Sequence, residues 1–97
     1  MNKELLEQRE RELRNEYPDM FDTPDLEIDE VCLGVIMVDA AEIQASLYNS
    51  KGLKTARVGV TDLFPNESGI TYRAIIVKLK EYLELDERYR QSSLSPG

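Results

Sequence analysis

The sequence predicts a small α/β domain with its elements in the order α-β-α-β-α. Three observations carry that expectation. A nearly continuous apolar run, Val31 to Val38, is bounded by acids on both sides. A capping-box-like start, Asp39-Ala-Ala-Glu42, follows it at once. A β-rich stretch, Thr55 to Thr61, comes after a glycine stop at Gly52. Strand, short helix, glycine and strand form the grammar of a β-α-β unit.

The elements follow in chain order. Asn2 to about Glu16 is rich in Glu and Arg, both good helix formers, and Asn2 is suited to the N-cap. Leu6, Leu13 and Tyr17 form one narrow stripe, widened slightly by Leu5. So thin a stripe predicts surface docking rather than a core helix. Pro18 ends it, because the residue before proline avoids the helical region. Residues 18–30 read as an acidic connector interrupted by Pro18 and Pro24. Thr23-Pro24-Asp25 also has the form of a helix start. That leaves an alternative fold, mostly α, with residues 24–49 as one long helix.

Val31–Val38 reads as a strand, because a helix that starts at Asp39 needs something non-helical before it. That helix, with Asp39 as cap, runs through Ile43 and Leu47 and stops at Gly52. Ile70 to about Asp86 has the clearest helical pattern, with Tyr72, Ile75, Ile76, Leu79, Tyr82 and Leu83 on one side. The rival reading is a β-hairpin, with strands at 55–63 and 70–78. It is disfavoured by poor alternation, since Arg73 shares a face with Ile75 and Val77. The segments are therefore 1–17, a charged helix; 18–30, the connector; 31–90, the core; and 91–97, a tail expected to be disordered. A two-stranded sheet is too small to stand alone. The prediction requires a further strand, from a segment read as loop or helix or from another chain, such as a homodimer or a partner.

Composition excludes several functions. The chain has 97 residues, 41% hydrophobic, with no histidine, no tryptophan and one cysteine. No Ser-His-Asp or Cys-His pair and no His- or Cys-rich zinc site is possible within one chain, and no internal disulfide. The longest apolar run is too short to cross a bilayer. The first residues are rich in charge and do not read as a signal peptide. A soluble cytoplasmic protein is expected.

The net charge of −7 is unevenly placed. Residues 1–30 hold eleven acids and four bases, whereas residues 31–97 hold eight of each. Glu16, Asp19, Asp22, Asp25, Glu27, Asp29 and Glu30 come with no base between them. Such a field repels nucleic acid and attracts basic surfaces. A calcium loop beginning at Asp25 fails, because its sixth position is Glu30 and its twelfth is Ile36. No metal or other cofactor is expected.

The leading expectation is a non-enzymatic protein-binding module, an adaptor, inhibitor or immunity-type factor that docks on a basic partner through those seven acids. A second reading is a nucleic-acid-associated regulator using an anion-binding patch of Lys51, Lys54 and Arg57. It lacks the interleaved aromatics that single-strand binding favours. A third is a small enzyme subunit using Asp39 or Asp62 at the sheet edge. The turn after the first strand has no glycine to cradle a phosphate, and Asp39 would repel one. Cys32, inside the apolar run, reads as a small buried hydrophobe.

Overall fold

The computed structural model describes residues 3–61 and 69–94. Helix α1 spans Lys3–Glu16, and a single 3-10 turn follows at Pro18–Phe21. Strand β1 (Glu30–Met37) leads directly into α2 (Val38–Ser50). Strand β2 (Arg57–Gly59) is short, and β3 (Tyr72–Lys78) runs directly into α3 (Leu79–Leu94). The small α/β fold and the order α-β-α-β-α are present, the second β being a pair of strands. The mostly helical alternative is overturned: no helix starts at Thr23, and residues 30–37 are strand. The proposed cap Asn2, the loop residues 62–68 and the tail residues 95–97 lie outside the described residues. Residues 91–94, expected to be disordered, continue α3.

The helix expected over 70–86 is corrected in its first half. Residues 72–78 are the central strand of a three-stranded sheet, in the order β1-β3-β2. Both neighbours pair antiparallel to β3, so β1 and β2 are parallel to each other with β3 between them. This is a split β-α-β arrangement. It supplies from within the chain the strand that the sequence reading lacked.

Alternation misleads in this strand for a physical reason. Ala74, Ile75, Ile76 and Val77 are all buried, because the central strand is covered on both faces. Ile75 packs with Ala41 and Ala45 of α2, and Val77 packs with Val31 and with Leu79 and Leu83 of α3. On the opposite face, Ala74 and Ile76 pack with Cys32 and with Leu26 of the connector. The two helices therefore cover one face, and the acidic connector folds over the other. Cys32 is buried as expected, its Sγ donating to the Gly34 carbonyl at 3.3 Å.

A bulge interrupts β1. The register steps from Cys32↔Ile76 to Gly34↔Ile75, so Leu33 and Gly34 together oppose Ile75. The step reverses which residues face the helices. Val31 and Leu33 reach the α3 side before it and Ile36 the α2 side after it, while Cys32 and Val35 face the connector.

Helix α2 starts one residue before the expected cap. Met37, in extended conformation, occupies the N-cap, and Asp39 falls in the first turn without a capping bond. Its place in the first turn still puts an acid near the positive end of the helix. The C-terminal stop is as read. Gly52 takes φ +115°, Leu53 N–H donates to the Tyr48 carbonyl at 3.0 Å, and Gly52 N–H donates to the Asn49 carbonyl at 3.3 Å. These two bonds make a Schellman motif, with Leu53 packed on the Tyr48 side of the core.

Gly59 is the more tightly packed of the two described glycines in the sheet. A Cβ built there would fall inside contact distance of Ile76 Cδ1, and at 3.2 Å from Asp25 Oδ2. Gly59→Ala is expected to cost about 1–3 kcal/mol by overpacking. Chemical denaturation should show Ile76→Val relieving part of that cost when the two are combined. Strictly additive losses would refute the contact.

Candidate functional site

The seven acids from Glu16 to Glu30 divide into two groups. Those from Asp25 onward hold the connector to the sheet. Glu30 stands at the start of β1, where its carboxylate is 3% exposed. It accepts from Arg57 Nε at 3.1 Å and Nη2 at 2.7 Å, a two-pronged pair with the first residue of β2. Its Oε1 also accepts the Glu27 N–H at 3.0 Å. Asp25 sits at φ +72°, a conformation aspartate tolerates better than most residues. Its Oδ2 accepts from Arg57 Nη1 at 3.0 Å and from Val60 N–H at 3.2 Å, while its carbonyl accepts from Arg57 Nη2 at 2.7 Å. Lys78 Nζ reaches Asp29 at 3.0 Å and Glu27 at 3.7 Å.

These contacts set the electrostatics. Hydrogen bonds from Arg57 hold the Glu30 carboxyl below its ordinary value, against the opposing effect of burial. The Asp25 carboxyl is lowered first by the Val60 N–H and then by Arg57. Lys78 is raised, chiefly by its bond to Asp29. Arg57 is therefore committed to two carboxylates. Lys51 and Lys54, the other members of the expected anion patch, make no ion pair among the described residues.

Glu16, Asp19 and Asp22 form the second group. All three are exposed, and their carboxylates make no ion pair or side-chain hydrogen bond among the described residues. Glu16 and Asp19 are the chain neighbours of Tyr17 and Met20, which line a groove that sequence reasoning missed. Tyr17 follows α1, Tyr48 lies on α2, and Tyr82 and Tyr89 lie seven apart on α3. Together they border a groove of about 630 Å³. Met20, the bulged Leu33, Leu53 and Leu85 give it an apolar base, and Lys51 and Asp86 stand at its sides. Tyr17 and Tyr89 are 54% and 63% exposed at its mouth. The Tyr82 phenol is raised, first by burial and then by the Asp86 carboxylate, with the Tyr17 and Tyr48 hydroxyls close enough to contribute. Asp86 is itself held by Arg90 Nε at 2.9 Å. None of the four phenols makes a hydrogen bond to another described residue. Met20 and Leu33 separate this groove from an acidic slot of about 400 Å³, where Asp19 and Asp22 face β1.

Five of the chain's seven Tyr and Phe residues are tyrosine. The seven-residue step from Tyr82 to Tyr89 was the one sequence signal for a shared face. Asp39 is exposed on α2, whereas Asp62 lies outside the described residues. No helix among the described residues is long and apolar enough to cross a membrane. No protein-family model, curated protein or solved structure matches the chain.

Proposed function

We propose that the chain is a non-enzymatic protein-binding module, with the tyrosine groove and its acidic flank as the docking surface for a basic partner. One observation carries this reading. Glu16, Asp19 and Asp22 keep unpaired carboxylates on the segment that also brings Tyr17 and Met20 to an open aromatic groove, while the acids from Asp25 to Glu30 are taken up by Arg57 and Lys78. Tyrosine supplies large contact area with a polar tip and is enriched where protein partners bind most strongly. Unpaired acids at the rim steer a basic partner and make its capture salt-dependent.

The test is capture of partners from native lysate at low salt, followed by a salt gradient. The wild type should retain a basic partner that modest salt releases. The triple variant Glu16→Lys, Asp19→Lys, Asp22→Lys should lose it, while Lys54→Ala should keep it. Retention undiminished by the triple charge reversal would rule the reading out.

A further inference from the structure

We propose that two copies of the chain join through the free edge of β1. The edges pair antiparallel across a two-fold axis, the two three-stranded sheets continue as one, and the α2 helices pack side by side over the join.

The ladder shows which way the edge faces. Val38 N–H donates to the Thr71 carbonyl at 2.9 Å, so this pair points inward at β3. Inward and outward groups alternate along an antiparallel strand. Ile36, opposite Arg73, therefore also points inward, and Val35 and Met37 turn their N–H groups outward. Among the described residues nothing takes those two donors or the Val35 carbonyl. This stretch follows the bulge, where pairing is regular again. Val35 to Val38 carries none of the charges or prolines that blunt an edge against another strand. The opposite edge is closed. Strand β2 has three residues, the Ala56 carbonyl before it accepts from Asn49 Nδ2 at 3.3 Å, and the Val60 N–H after it donates to Asp25 at 3.2 Å.

An edge this short holds a partner poorly by itself, and α2 supplies the rest. Ala41, Ala45 and Tyr48 face the sheet. Ala40, Ile43 and Leu47, spaced by three and four, form a second apolar stripe, with Ile43 67% and Leu47 46% exposed. At about 100° per residue, Asn49 lies roughly opposite Ala40 and Leu47 on the helix. Asn49 is the residue that reaches Ala56 on the β2 side. The stripe therefore looks over β1, where Met37 and Val38 are exposed as well. A contiguous apolar patch of this kind marks an interface. A second copy matches edge and stripe at once, because a two-fold axis sets each against its own image. Charge allows it. Neither the edge nor the stripe carries a charged side chain, and the two-fold sends the slots holding Asp19 and Asp22 to opposite ends of the join.

Light scattering on the full chain from about 10 μM to about 1 mM should show the mass rising from one chain towards two. Two variants separate the contacts. Met37 has φ −61°, the angle proline requires, and its N–H bonds no described residue, so Met37→Pro removes an edge donor without straining the fold. Ile43→Glu with Leu47→Glu charges the stripe at two exposed positions. Each variant should weaken association by about tenfold or more, with an amide spectrum that remains that of a folded chain. Amide exchange at Val35 and Met37 should be about tenfold slower in the concentrated wild type than in the doubly charged variant. A monomeric mass throughout the range would overturn the proposal and leave the edge to a strand from a different protein. A dimer untouched by Met37→Pro, with those two amides exchanging freely, would overturn strand pairing in favour of helix contact alone. The charge-reversal capture decides the acidic docking surface separately.

Discussion

Ile76→Ala is expected to lower the unfolding free energy by about 3–4 kcal/mol. Ile76 is fully buried at the centre of β3, paired with Cys32 on one side and Arg57 on the other. Its side chain is packed beneath Leu26 and fills the space left by Gly59. Truncation removes that packing and leaves a cavity between sheet and connector. The connector rests on the site through Leu26, and the rigid sheet beneath restricts its collapse into the gap. Domains of this size have only about 5–10 kcal/mol in total, so a large share of the stability goes. Urea denaturation should show a lower midpoint with an unchanged slope. A loss under about 1 kcal/mol would mean that the connector does not seal this face.

The second large effect is at Glu30. Glu30→Ala strips Arg57 of its buried partner and frees the Glu27 N–H, at an expected cost of about 2–3 kcal/mol. The figure is held below that of a fully buried pair because the Arg57 side chain is 36% exposed. Arg57→Lys should recover little, since an ammonium cannot bridge two carboxylates and a carbonyl as the planar guanidinium does. The pair also fixes a pH signature. The Glu30 and Asp25 carboxyls lie below their ordinary values of 4.5 and 3.8. A carboxyl lowered by folding contributes its stability above the unfolded value and loses it as pH falls through the folded one. The wild type should therefore hold full stability near neutrality and lose it below about pH 4.5. Glu30→Gln should flatten that decline, and the two proteins should converge in strong acid. Parallel stability curves from pH 7 to pH 2 would refute the ion pair as a source of stability.

Much of the fold was legible because local chemistry and tertiary structure agree. The apolar run of β1, the helix after it and the glycine that ends α2 each carry their own signal, and each stands within a residue or two of its reading. The reading failed where burial on both faces removed the cue. Residues 74–77 are apolar in succession because helices cover one side and the connector the other, so no period of two survives. Tyr82 and Leu83 then continue the pattern on a real helix, which made one element of two. At the site, the acidic segment was visible but its division was not. Which carboxylates are consumed depends on Arg57 and Lys78 arriving from strands 27 or more residues away. The tyrosines of the groove come from the end of α1, from α2 and from α3, and only folding assembles them.

The position of β3 also determines the order in which the molecule can be made. β1 and β2 never touch as paired strands, and each finds its hydrogen-bonding partner only in a segment that follows both. The β1–β3 pairs join residues from 35 apart, Met37 with Tyr72, to 48 apart, Glu30 with Lys78. On the ribosome, a nascent chain complete through Gly59 holds two strands and two α-helices but no sheet. Until residue 78 emerges, the apolar sides of β1 and α2 have no strand to close against. Sheet assembly is then a late, long-range event that condenses the chain in one step, which places this small domain among slower folders than its helix content suggests.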